Sequence, residues 1–377
     1  MTLFSYPVNA DIDFLEMKRN QTMKFLVLPC DGIGLDIIDA SVGVLQAAND
    51  KYGLGLELEY DEVGFASLEK YGITLRDELL EKASHFDGVI LGTQSHADYP
   101  SPEKGGRNVS AGFRVGLDLY ANVRPARTRD FLESNMKPGK RMDLVIMREA
   151  TEGFYPDRNM ARGWAEVMPD PNMALSIRKI TRHCSERIAR QAFKLAMKRN
   201  KKVTAIHKSN SFHMTDGLFL EAVAEVAKDF PEVELNDYLV DAAAAHLVRT
   251  PEQFDVIVTS NFYGDILSDL ASELSGSLGL AGSVMASDSL CCAQAQHGSA
   301  PDIAGQDKAN PTSMMLSVAM LLDWLAEHHD RENYKHAAQA ITQAVDEVLK
   351  DPQKRTCDLG GSLGCQRFGE EVAAALR

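Results

Sequence analysis

Cysteine is scarce in this chain: six among 377 residues, at positions 30, 184, 291, 292, 357 and 365. They form no C-x-x-C pair and no Cys/His pattern of zinc-finger spacing. So few thiols in so long a chain exclude a disulfide scaffold and read as reduced, cytosolic cysteines. Long apolar runs are missing too. None reaches the ~18 residues of a membrane span. The first 22 residues contain Asp11, Asp13 and Glu16 and lack the apolar stretch of a secretory signal. The expectation is a cytoplasmic protein with no membrane partner. Positive charge is in deficit, 40 Lys+Arg against 54 Asp+Glu for a net charge of −14, which argues against a nucleic-acid binder. A local arginine cluster could still hold an anionic substrate. G-x-G-x-x-G and the Walker A lysine motif are both absent, so any nucleotide binds by neither a Rossmann nor a P-loop fingerprint. Gly360–Gly364 matches the G-x-S-x-G nucleophile elbow, but the 13 residues that follow include no His or Asp, which rejects a serine hydrolase.

What is present is ordinary globular composition, 45% hydrophobic and 25% charged, on a length that fits two domains or one large α/β unit. From Met23 onward, short β-branched runs alternate with longer helical periods. Lys24–Pro29, Leu56–Val63, Asp87–Leu91, Asp143–Met147, Val203–His207 and Phe254–Thr259 read as strands. Residues 35–51, 184–200, 214–228, 262–275 and 366–376 read as helices, with two more within 313–350. This alternation predicts an α/β fold with a mainly parallel sheet. Residues 1–22 read as an extension outside it. The Gly/Ser/Pro-rich stretch 94–112 reads as an irregular loop, either functional or plain surface.

Several residue groups could carry chemistry. Asp31-Gly32-Ile33-Gly34 lies between a strand and a helix, where glycines let backbone approach a ligand or simply make a tight turn. Arg114, Arg124 and Arg148 suit bidentate recognition of carboxylate or phosphate; two of them end otherwise apolar stretches, where parallel sheets place ligands. Unconnected surface arginines are the plain alternative. Asp265 and Asp269 are four apart and share one helical face. With Asp241, at the end of another apolar run, they offer the oxygen ligands that Mg²⁺ or Mn²⁺ wants, or they are helix-N-terminal acids. Lys208 closes a strand-like run and is either a general base or a solvated lysine. Tyr155 is a candidate acid or a packing residue. Residues 297–311, dense in turn formers, could wrap a nucleotide or form an ordered loop.

Taken together, D-G-I-G, Y-A-N-V-R-P, R-E-A-T-E-G-F-Y, H-K-S-N, V-D-A-A-A-A-H-L, N-F-Y-G-D-I-L-S-D, G-S-L-G-L, H-G-S-A-P-D-I-A-G and R-T-C-D-L-G-G resemble the β-decarboxylating dehydrogenases, the family of isocitrate, homoisocitrate, 3-isopropylmalate and tartrate dehydrogenases. The likeness runs from Met23 to the end, with the segments in the family's order. It implies a two-domain α/β subunit with a large mixed sheet that is not a Rossmann fold. Residues 23–119 and 276–377 would form a large, cofactor-side domain holding both ends. Residues 120–275 would form a small domain that dimerises and carries the metal and substrate residues.

The resemblance also implies roles. Arg114, Arg124 and Arg148 would grip the carboxylates of a small-molecule hydroxy-acid substrate. Asp265, Asp269 and the Asp241 of a second subunit would hold Mg²⁺ or Mn²⁺. Lys208, also from that subunit, would deprotonate the 2-hydroxyl, and Tyr155 would protonate carbon after CO₂ leaves. The assembly would be a homodimer with shared active sites, a tetramer being left open. His297, Gly298, Ser299, Ala300, Asp302, Ile303 and Asn310 would meet the cofactor. Asp302-Ile303 stands where NADP-preferring relatives have Lys and Tyr, which implies NAD, because a carboxylate there repels a 2′-phosphate. Cys30 and Leu35 replace the usual Gly and Pro around D-G-I-G, and Gln294 replaces a usual Glu. Ahead of Arg114, the polar Asn108 and Ser110 stand where isopropylmalate enzymes place apolar side chains, so the reading leans to isocitrate or homoisocitrate. The alternatives are 3-isopropylmalate, tartrate or D-malate, and a non-catalytic regulatory subunit of the same fold.

Overall fold

The computed structural model describes residues 22–160 and 163–376, so the extension expected over residues 1–22 lies, but for Thr22, outside the described part. In chain order the elements are β1 (Met23–Leu28), α1 (Gly34–Tyr52), β2 (Leu56–Tyr60), α2 (Phe65–Tyr71), α3 (Asp77–Ala83), β3 (Gly88–Leu91), α4 (Val109–Gly116), β4 (Ala121–Arg127) and β5 (Asp143–Glu149). There follow β6 (Glu166–Asp170), β7 (Met173–Ser176), α5 (Arg182–Met197), β8 (Lys202–His207), α6 (Thr215–Ala227), β9 (Glu234–Leu239), α7 (Val240–Arg249), β10 (Val256–Thr259) and α8 (Asn261–Ser275). Last come β11 (Val284–Ala286), β12 (Cys291–Gln294), α9 (Thr312–His329), α10 (Glu332–Lys350) and α11 (Cys365–Leu376).

The strands β1, β3, β5, β8 and β10 are near-continuous apolar runs because helices cover the sheet on both faces. They belong to one ten-stranded sheet of order β2-β1-β3-β12-β11-β4-β5-β10-β8-β9. Its two flanks are parallel. The middle is not: β12–β11, β11–β4 and β4–β5 pair antiparallel. The expected α/β fold with a large mixed sheet is therefore observed. The antiparallel centre was not anticipated, because β11 and β12 are three and four residues long and too short for a periodic signal.

That centre corrects one expectation. Arg124 does not sit at a strand end; it lies in the middle of β4, opposite Ile146 of β5. The stretch 94–112 is also not a plain loop. It contains short 3-10 turns at His96–Asp98 and Pro102–Lys104, and its last residues begin α4, which Asn108 caps by accepting a hydrogen bond from the Ala111 amide.

Hydrophobic packing divides along the chain. Two clusters draw their buried residues from 23–119 and 280–376, and two others from 120–274. The hairpin β6–β7 stands outside all four. Its Val167, Met168, Met173 and Leu175 are exposed, as are Trp164 and Ile177 beside it.

Candidate active site

Three elements deliver the arginines to one place. Arg148 leaves β5 fully buried. Its Nε and Nη2 both donate to Asn261 Oδ1, at 2.9 and 2.6 Å, and its Nη1 pairs with Asp265. Gly264 makes this possible, since a Cβ there would lie 2.6 Å from Arg148 Cγ. Arg124, 7% exposed, reaches from β4 to α8. Its Nη1 donates to Ser268 Oγ at 2.7 Å and lies 3.4 Å from Asp265 and 3.3 Å from Asp269. Arg114, at the end of α4, donates only to Met285 Sδ and forms no ion pair among the described residues.

Asp265 and Asp269 do share one face of α8, as their spacing required. Their mutual repulsion is relieved by Arg124, which touches both. Tyr155 completes the group: its hydroxyl donates to Asp265 Oδ2 at 2.7 Å and accepts from Arg148 Nη2 at 3.1 Å. A fourth guanidinium, Arg158, stacks 4.8 Å from the Tyr155 ring centre and pairs with Asp157.

These neighbours shift one another. Burial, then the charge of Arg148, pushes Arg124 down to about 10. Arg114 is driven well below the ordinary guanidinium range by burial and by the charges of Arg148 and Arg124. Burial acts upward on the Asp265 carboxyl, but Arg148, Arg124 and Tyr155 outweigh it and hold the group below the usual carboxylate range. Burial raises the Tyr155 phenol against the pull of Arg148.

The arginines line a cavity of about 330 Å³ together with Tyr155, Asp265 and His297. Its lining also holds a polar, uncharged network. Gln94 Nε2 donates to Asn108 Oδ1 at 3.2 Å, and Gln94 Oε1 accepts the Ser110 amide at 3.0 Å. Ser110 Oγ donates to Gln294 Oε1 at 3.0 Å, and Gln294 Nε2 donates to the Gly92 carbonyl at 3.3 Å. The structure thus gathers Asn108, Ser110, Arg114, Arg124, Arg148, Tyr155 and Asp265 around one cavity, with Asp269 beside it.

Lys208 and Asp241 lie elsewhere. Lys208 follows β8, its amide held by the buried Asp216 carboxylate at 2.5 Å. Its Nζ pairs with Asp241, in the first turn of α7, at 2.6 Å. That pair is 24% and 66% exposed. No group of three or more His, Cys, Asp or Glu capable of holding a metal occurs among the described residues. Two carboxylates lie one turn apart on α8, and Asp269 Oδ2 has no hydrogen bond among the described residues. The oxygen set fits a divalent cation if a third acid joins it.

The proposed cofactor segment meets the same cavity through His297 and Gly298. Burial lowers the His297 imidazole, favouring its neutral form. The D-G-I-G turn serves as its seat: the Ile33 amide donates to the Ser299 carbonyl at 2.8 Å, and a Cβ on Gly32, at φ 57°, would lie 2.1 Å from that oxygen. Ser299 Oγ also accepts from Ser95 Oγ at 2.7 Å. Ala300 takes the left-handed φ of 35°, Asp302 is exposed beside Ile303, and Asn310 donates to Asp358 at 3.0 Å. Gly298 has open space where a Cβ would stand. An exposed carboxylate and an open, turn-rich backbone fit a nucleotide ribose.

Sequence reasoning missed Gln94, Arg158, Asn261 and Gln296. Asn261 lay inside a motif already singled out and Gln94 at the start of the stretch 94–112; Arg158 and Gln296 stand just outside the quoted motifs.

Three comparisons bear on this arrangement. The profile of the family described as isocitrate/isopropylmalate dehydrogenase matches residues 24–372. A 3-isopropylmalate dehydrogenase of Archaeoglobus fulgidus is 41% identical over 94% of this chain and 99% of its own length. An isocitrate/homoisocitrate dehydrogenase of Thermus thermophilus is 43% identical over 92% of this chain and 96% of its own. The crystal structure of isocitrate dehydrogenase from Methylococcus capsulatus superposes with a TM-score of 0.83 at 37% identity, covering 94% of this chain and all of that one.

Proposed function

The chain belongs to the isocitrate/isopropylmalate dehydrogenase family and is an oxidatively decarboxylating dehydrogenase; from that premise we propose that it acts with NAD and Mg²⁺ or Mn²⁺ on a 3-substituted D-malate of isocitrate or homoisocitrate type. The single observation that carries this reading is the cavity itself, which brings Arg114, Arg124 and Arg148 together with the neutral Gln94–Asn108–Ser110–Gln294 network.

Arg114, Arg124 and Arg148 bind the malate carboxylates, and the incoming charge relieves the crowding that depresses Arg114. The C3 substituent lies against this network, whose polar groups already bond one another except for the Asn108 amide nitrogen; a carboxylate-bearing arm accepts from that donor and an isopropyl group does not. Asp265 and Asp269 would hold the cation, which would supply Lewis-acid chemistry there. Tyr155, whose hydroxyl proton already lies on a hydrogen bond to Asp265, delivers a proton to carbon after CO₂ departs. His297–Ile303 and Asn310 cradle NAD, with Asp302 accepting from the ribose hydroxyls.

Lys208 and Asp241 act in the neighbouring subunit of a homodimer. Supporting this are their absence from the lining of the arginine cavity and the exposed apolar side chains of the 120–275 part: Phe212 and Met214 shortly after Lys208, Phe262 and Ile266 on α8, and those of the β6–β7 hairpin. Residues 120–275 then form the dimerising domain, and 23–119 with 276–377 the cofactor-side domain, as the separate hydrophobic clusters support. Six unpaired cysteines fit a cytoplasmic enzyme.

The test is a substrate panel of isocitrate, homoisocitrate, 3-isopropylmalate, tartrate and D-malate, followed by NADH formation with Mn²⁺. Highest kcat/KM on isocitrate or homoisocitrate is expected. Preference for 3-isopropylmalate or an unbranched diacid would overturn the substrate assignment.

A further inference from the structure

Gln296 lies two residues beyond the end of β12 and one before the proposed cofactor loop. It is 8% exposed and lines the cavity. Its backbone amide donates to Ser313 Oγ at 3.2 Å, which pins the residue to the start of α9. Its side-chain nitrogen donates to Asp269 Oδ1 at 3.0 Å and to Ser272 Oγ at 3.0 Å. Its Oε1 is buried and has no hydrogen-bond partner among the described residues. A carboxylate can only accept, so the amide is oriented by Asp269, nitrogen inward.

The two acids of α8 are held differently. Asp265 has both oxygens engaged, Oδ1 by Arg148 and Arg124 and Oδ2 by Tyr155. Asp269 has Gln296 and Arg124 on the same oxygen, Oδ1, and no hydrogen bond on Oδ2 among the described residues. Without Gln296 only Arg124, at 3.3 Å, would fix the carboxylate. It could then rotate about its terminal torsion and present either oxygen to the guanidinium.

We propose that Gln296 is a positioning residue for the divalent cation: it locks Asp269 through Oδ1 so that Oδ2 remains free as a metal ligand. This rests on the cation reading above. Loss of a group that orients a metal ligand typically weakens metal affinity ~10- to 100-fold.

The test is calorimetric titration of the full-length enzyme with Mn²⁺, without substrate or nucleotide, beside activity titrations in Mn²⁺. Gln296→Met keeps length and removes the donor; its Kd for Mn²⁺ should rise ~10-fold or more. The KM for Mn²⁺ should rise in proportion, while kcat at saturating Mn²⁺ stays within a few-fold. Ser272→Ala, which leaves the Asp269–Gln296 bond in place, should shift Kd less than about twofold. If Gln296→Met does not fold, Gln296→Asn replaces it, its amide being one methylene too short to reach Asp269. An unchanged Kd in a folded Gln296 variant, or a fall in kcat that Mn²⁺ does not restore, would overturn the proposal. Wild-type protein that binds no Mn²⁺ would remove the cation reading and this inference with it.

Discussion

Two charged groups in this molecule both pair basic side chains with aspartates and look nothing alike. Around α8, Arg124, Arg148, Tyr155 and Asp265 are buried or half-buried and saturate one another with hydrogen bonds. At the carboxyl end of β8, Lys208 and Asp241 form an ion pair that is 24% and 66% exposed. A mutually bonded cluster is preorganised and can hold a ligand without rearranging. A partly exposed pair contributes little to the fold. The exposed Phe212 and Met214 shortly after Lys208 support the proposal that a second subunit covers this surface.

The contrast can be broken at several strengths. The largest effect should come from removing the cation. A chelator should reduce turnover to background and excess Mn²⁺ should restore it; full activity in the chelator would end the metal assignment. Next, Arg148→Met should lower kcat/KM by roughly a thousandfold, as a buried partner of a substrate carboxylate is lost. It should also destabilise the subunit by about 3 kcal/mol or more, because Asp265 and Asn261 lose their shared donor. Steady-state kinetics and urea melts check both. A smaller change is expected at the nucleotide. Asp302→Lys with Ile303→Tyr should move the NAD/NADP ratio of kcat/KM toward NADP by ~100-fold; equal use of both nucleotides by the unmodified enzyme would contradict the assignment. Smallest is the stability effect of Lys208→Ala. Turnover should collapse, yet the urea midpoint should move by less than the equivalent of ~1 kcal/mol. Large destabilisation would show that Lys208 serves the fold.

How far the sequence foretold this site depended on whether a residue's place follows from local geometry. Asp265 and Asp269 were legible because a four-residue spacing on a helix forces a common face. Arg148 was legible because it closes an apolar run that became β5. Arg124 was recognised but misplaced, since its position depends on β4 pairing antiparallel with its neighbours, a tertiary fact without a local signature. α4 was hidden by the small residues around it, although Asn108 followed by Val109 and Phe113 is a capped helix start. Gln94 and Gln296 left no trace, because an amide acquires meaning only from the partners that long-range folding brings to it.

The central claim is that one active site draws on two chains. Its most direct test mixes two inactive variants, Lys208→Ala and Arg148→Lys, under conditions where subunit exchange is demonstrated independently. Hybrid dimers would then contain one site with both defects and one with neither, so activity should return toward half that of the wild type in the hybrid fraction. Exchanged subunits that stay inactive would place Lys208 and Arg148 in the same chain's site and contradict the account.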